Sequence, residues 1–172
     1  KTSDEMRMVH FPLNERLKLL PVDIVYGKYR LLLAMAIFFI LPFFNSAGFN
    51  LEQGFDKGLP AILFLGIAYL TGILITPILL PWIPVKMFGF KGLICGLAAS
   101  LILFITGAIG SGYLHTISWF LIISAISSFM AMNFTGSSTY ASLSGVKREM
   151  KIFVPIQISF AGIGLILYII SN

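Results

Sequence analysis

Apolar positions along this chain fall in long unbroken runs, not in alternation. No Asp, Glu, Lys or Arg occurs in 31–51, 58–85, 92–146 or 152–172. A helix rises about 1.5 Å per residue, so about 20 apolar residues cross ~30 Å of hydrocarbon. The third run holds two such spans, divided where glycine and polar residues interrupt it at Gly110-Ser111-Gly112-Tyr113-Leu114-His115. The pattern therefore predicts five spans, at roughly 31–49, 59–81, 92–111, 116–136 and 152–170. Helices are the reading, because backbone groups in lipid must be satisfied within the segment and the alternation of a barrel strand is absent. The predicted fold class is an all-α polytopic membrane protein with five transmembrane helices and a cytoplasmic N-terminus. Residues 1–30 form a cytoplasmic connector, and 31–172 form the membrane domain.

The orientation comes from charge. Lys1, Arg7, Arg16, Lys18, Lys28, Arg30, Lys86, Lys91, Lys147, Arg148 and Lys151 fall on one side of a five-span arrangement, and Lys57 alone on the other. The positive-inside rule then puts the N-terminus in the cytoplasm and the C-terminus outside, with the inner membrane as the location. Tyr26, Tyr29, Trp82 and Tyr140 fall near the cytoplasmic interface, and Tyr113, Trp119 and Tyr168 near the outer one.

Composition narrows the class. The chain is 58% hydrophobic and 11% charged, against about 25% charged in soluble domains. A water-soluble globule and a disordered chain are both excluded. Cys95 is the only cysteine, which excludes an internal disulfide or a multi-cysteine metal site. The sequence pI near 9.5 does not imply nucleic acid, because the basic residues border the spans. A chain that begins at Lys1 reads as part of a longer protein.

Within the spans the polar residues are mild. Gly92, Gly96 and Ser100 recur every fourth position, and Ser124 and Ser128 repeat the spacing, which predicts close helix contacts. Pro77 is expected to kink the second span and Pro42 to bend the first; Pro155 fits the first turn of the fifth. Acidic residues, Glu149 among them, read as scattered over termini and loops. His10, His115 and Cys95 cannot meet in one metal site. No catalytic, cofactor-binding or metal-ligating residue is assigned.

One stretch stands out: Asn133-Phe134-Thr135-Gly136-Ser137-Ser138-Thr139-Tyr140, followed by Ser142-Leu143-Ser144-Gly145-Val146-Lys147-Arg148-Glu149-Met150. It reads as a hydroxyl-rich, then basic, connector between the fourth and fifth spans. Together with Leu80-Pro81-Trp82-Ile83-Pro84, Lys91-Gly92 and Glu15-Arg16-Leu17-Lys18-Leu19-Leu20-Pro21-Val22-Asp23, it resembles the membrane domain of the mercury-methylating corrinoid proteins. The resemblance implies an upstream cytoplasmic corrinoid-binding domain, a methyl group carried on cobalt to mercuric ion, and a ferredoxin-like partner with 4Fe–4S clusters. The family's cobalt-ligand motif, Asn-x-Trp-Cys-Ala-Ala-Gly-Lys, is absent from this chain, and Cys95 lies in Leu93-Ile94-Cys95-Gly96-Leu97. No corrinoid is therefore expected within the chain itself. The role implied is membrane anchor and docking domain, with Trp82, Asn133, Thr135, Gly136, Ser138, Thr139, Tyr140, Lys147 and Arg148 as the docking surface. The alternative is a stand-alone small membrane transport or assembly protein.

Overall fold

The computed structural model describes residues 13–45, 48–85, 87–110, 112–137 and 143–171. The architecture is all-α. Helix α1 (Leu13–Ile40) leads through a 3-10 turn (Leu41–Phe43) into a small antiparallel pair, β1 (Phe44–Asn45) and β2 (Gly48–Phe49). Helix α2 (Leu51–Leu70) continues through a π turn (Thr71–Ile75) into α3 (Thr76–Leu79), followed by α4 (Phe88–Ile105), α5 (Tyr113–Ser137) and α6 (Leu143–Ser171). Four stretches, Leu51–Leu79, Phe88–Ile105, Tyr113–Asn133 and Lys147–Ser171, are long and apolar enough to cross a membrane.

Helix α5 is the centre. It packs against α4, α6 and α2, and α1 packs chiefly on α2. Its apolar residues surround it, as a helix enclosed by others requires. Trp119, Ile122, Ile123 and Ala125 are buried there beside Ser118, Ser124, Ser127 and Ser128. The outer faces of α4 and α6 carry Leu97, Leu101, Ile102, Ile105, Ile158, Ile163, Ile166 and Ile170, all exposed. The described residues expose more large apolar side chains than they bury, a surface suited to hydrocarbon contact and not to water.

The α4–α5 seam follows the predicted spacing. A Cβ on Gly92 would lie 2.6 Å from Ala131 Cβ and 2.7 Å from the Ser127 carbonyl oxygen, and one on Gly96 would lie 2.7 Å from Ser124 Cα. The two small-residue repeats face each other, so the helix backbones approach closely. Ser127 Oγ crosses the seam to donate to the Gly92 carbonyl at 2.9 Å.

Two of the three proline expectations change, those for Pro42 and Pro155. Pro77 gives a π turn: the Thr76 N–H reaches Thr71 O, and Thr76 Oγ1 donates to the same oxygen at 2.9 Å. The widened turn accommodates a ring that would otherwise collide with the carbonyl four residues back. Pro42 does not bend a continuing helix. Regular α-helix ends at Ile40, and Pro42 sits in the 3-10 turn, so the predicted 31–49 span is helical only to residue 40. The chain then folds back, with Asn50 N–H donating to Phe43 O at 3.0 Å and the Asn50 side chain capping α2 at Gln53 N–H. Pro155 lies well inside α6, not in its first turn.

Other boundaries move as well. Helix α1 already runs from Leu13, through the expected boundary at residue 30. The third run breaks after Ile105, with positive φ at Gly107 and Gly110, and α5 begins at Tyr113, so His115 belongs to it. Most of the 133–150 connector is helical: Asn133–Ser137 completes α5, and α6 begins at Leu143.

Gly92→Leu is expected to lower stability by about 2 kcal/mol through overpacking of the seam. A Cβ on Gly162 would meet nothing within 4 Å, so Gly162→Leu is expected to leave stability unchanged or raise it. Unfolding in detergent, followed by circular dichroism, compares the two.

Candidate functional site

Two ends of the bundle carry polar groups. At the first, called the basic end, the chain leaves α3 through a turn in which Trp82 N–H donates to Leu79 O at 3.0 Å. Pro81 and Pro84 flank it, and Trp82 is 76% exposed while Leu80 is buried. Lys91 Nζ, in the first turn of α4, donates to Leu80 O at 2.8 Å, which ties this turn to α4.

The start of α4 is closed by another helix. Its N-cap residue, Met87, supplies no side-chain bond. Instead the Glu149 carboxylate, on α6, accepts from Gly89 N–H. A carboxylate against the first-turn N–H groups of a helix is favourable on both hydrogen-bond and dipole grounds. Glu149 is 8% exposed. The Gly89 carbonyl accepts from Ser128 Oγ at 2.7 Å, and Ser128 Oγ accepts from Gln157 Nε2 at 2.8 Å. Gly89 is thus a junction where α4, α5 and α6 meet, and no larger residue fits: a Cβ there would lie 2.8 Å from the Phe153 ring.

This latch decides where the predicted docking residues stand. Lys147 and Arg148 are exposed on the α6 turn that carries Glu149, and Asn133 is exposed near the end of α5. With Trp82 they occupy one end of the bundle. Thr135 and Gly136 lie in the last turn of α5. Ser138, Thr139 and Tyr140 lie outside the described residues. Sequence reasoning missed Glu149 as a buried cap and grouped it with scattered loop acids. Its spacing to Gly89 in sequence is 60 residues, so no local pattern connects them.

The opposite end holds a different cluster. Trp119 and Tyr168 are fully buried, not placed at an interface as expected. Phe38, Phe64, Trp119 and Tyr168 form an aromatic box, with centroid separations of 4.9 Å for Phe64–Trp119, 5.1 Å for Phe38–Tyr168 and 5.4 Å for Trp119–Tyr168. Trp119 Nε1 donates to His115 Nε2 at 3.1 Å. An indole N–H only donates, so Nε2 carries no proton and the imidazole proton sits on Nδ1. Nδ1 faces Ser171 Oγ at 3.4 Å, and Ser171 Oγ donates to Tyr168 O at 2.9 Å. The histidine is neutral and is used to satisfy a buried tryptophan. Asp56, Lys57, Phe64, His115, Trp119 and Ser171 border a cavity of about 540 Å³. Lys57, the one basic residue expected away from the others, lies at this end.

Among the described residues no three His, Cys, Asp or Glu side chains gather into a metal-ligating group. Cys95, on α4, is buried. No protein-family model matches the chain, and neither a curated protein nor a solved structure matches it.

Glu149→Leu is expected to cost about 1–3 kcal/mol by leaving Gly89 N–H buried and unpaired, while Lys147→Ala costs none that is measurable. His115→Phe is expected to cost about 1–3 kcal/mol by stranding the Trp119 N–H. Thermal unfolding in detergent reads all three, with tryptophan fluorescence as the local probe for His115→Phe.

Proposed function

We propose that this chain is the membrane anchor and docking domain of a corrinoid-dependent methyltransferase that converts mercuric ion to methylmercury. The reading joins the sequence resemblance over residues 15–23, 80–92 and 133–150 to one structural observation. That observation is the latch at the basic end, which holds Trp82, Asn133, Lys147 and Arg148 exposed on one end of the bundle. A rigid surface of an exposed tryptophan with two cations suits a protein partner. Tethering an upstream corrinoid domain beside it raises effective concentration without adding contacts. The ferredoxin-like iron–sulfur protein would reach the corrinoid domain from the same aqueous side.

In this proposal the chain crosses the inner membrane five times, with the basic end in the cytoplasm. The first crossing is the unusual one. Its apolar helix, from Leu31 to Ile40, spans only about 15 Å, and the 3-10 turn and strand pair complete the pass against α2. Lys28, Arg30, Lys91, Lys147, Arg148 and Lys151 would face the cytoplasm, and Lys57 the outside, in accord with the positive-inside rule.

A second reading, a stand-alone transport or assembly protein, is favoured by the cavity beside His115 and Lys57. Soft-metal passage through it would need thiols or thioethers, and its lining has neither.

The test uses the complete protein in its host. Trp82→Ala combined with Lys147→Glu and Arg148→Glu is expected to lower methylmercury formation several-fold at equal membrane abundance; unchanged formation counts against docking. Topology is checked separately in a Cys95→Ala background. Tyr113→Cys is expected to react with an impermeant maleimide from outside, and Arg148→Cys only after permeabilisation. Reaction of both from one side ends the five-span arrangement.

A further inference from the structure

Gln157 lies at the middle of α6 and is 5% exposed. Its Nε2 donates to Ser128 Oγ at 2.8 Å, and the Ser128 hydroxyl proton is committed to Gly89 O at 2.7 Å. The network fixes the amide orientation, because the reversed amide would set oxygen against an oxygen with no proton to offer. Gln157 Oε1 is therefore the free end of the amide, and it is buried with no hydrogen-bond partner among the described residues. Buried acceptors of this kind are rare and costly, and each calls for an explanation.

The same residue forms part of the wall of a groove between α5 and α6. Ile126, Met130, Val154, Ile158 and Ala161 line it with Gln157 around a cavity of about 310 Å³. The lining is otherwise apolar. Groove and orphaned acceptor belong to one place, and together they specify an occupant: an apolar body carrying one hydrogen-bond donor.

We propose that this groove binds a neutral lipid with a free hydroxyl group, of the diacylglycerol class, whose O–H donates to Gln157 Oε1. Charge on the occupant is disfavoured. The nearest formal charges on α6 are Lys151 and Glu149, about 9 and 12 Å back along the helix axis. Glu149 is already bound to Gly89. None of the lining residues carries a charge, so a phosphate head would find no counter-charge in the groove wall, and ionic groups within the hydrocarbon are expensive. The volume suits a glycerol unit with the first part of a chain, not a helix about 10 Å across. The oxygen is covered in the groove wall, so the occupant reaches it only when a lining side chain moves; Met130 belongs to that wall, and an unbranched thioether moves at little cost. The assignment rests on contacts among α4, α5 and α6 and is independent of the corrinoid reading.

The experiment uses the full chain in phosphatidylcholine vesicles containing a trace of diacylglycerol with a photoactivatable acyl chain, compared with the same probe O-acetylated. The free-hydroxyl probe is expected to label the α5–α6 groove peptides at least five-fold more than the capped probe. Gln157→Leu is expected to reduce labelling to the capped level. Ala161→Phe, which fills the groove without touching the amide, is expected to abolish labelling by both probes, and it keeps the test decisive should Gln157→Leu not fold. Equal labelling of the unaltered chain by the two probes would mark a general acyl-chain seat and overturn the proposal. So would a chain-to-chain adduct formed from a photoreactive residue at Ile158, which would mark a helix interface.

Discussion

The close approach of α4 to α5 is the constraint from which the rest of the bundle follows. Glycines at 92 and 96 remove side chains where the serines of α5 arrive, and Gly89 does so where Phe153 of α6 arrives; serine hydroxyls of α5 reach the Gly92 and Gly89 carbonyl oxygens on the neighbouring helix. In hydrocarbon no hydrophobic force draws two apolar helices together, so packing and interhelical hydrogen bonds decide which faces meet. With α4 fixed on one side of α5, α6 fills another, again at a glycine: a Cβ on Gly164 would lie 3.1 Å from the Ser118 carbonyl oxygen. Helices α2 and α1 close the remaining side.

The two ends of the bundle solve different problems. At the basic end, the latch of Lys91, Gly89 and Glu149 satisfies helix-terminal groups with side chains from elsewhere in the chain. At the opposite end, the aromatic box buries large rings, with neutral His115 accepting the indole hydrogen of Trp119 and the Phe38 carbonyl facing the Tyr168 hydroxyl. The first leaves a tryptophan and two cations facing outward. The second leaves a cavity bordered by one cation and one anion.

What could be read from the sequence was whatever repeats locally. Uncharged runs located α2 through α6, and the four-residue spacing of Gly92, Gly96 and Ser100 marked the seam without reference to its partner helix. What could not be read depends on distant residues. Glu149 looks like a loop acid until Gly89 is beside it. Trp119 and Tyr168 have the composition of an interfacial belt, but ring packing with Phe38 and Phe64 draws them inside. Helix starts also misled: excluding charged residues from spans cut α6 short by nine residues, since Lys147, Arg148 and Lys151 are compatible with helix at a polar boundary. Among the predicted docking residues, Trp82, Asn133, Lys147 and Arg148 are exposed at one end, and three others lie outside the described residues.

The Glu149 cap has a temporal side. Ribosomes deliver α4 before α6, so during synthesis the first turn of α4 stands open, and only the arrival of α6 closes it. Until then Gly89 N–H must borrow water or a lipid head group, which favours keeping that turn near the membrane surface. Helix α6 therefore acts as a keystone: the end of the bundle that carries Trp82 acquires its finished shape only once α6 has docked.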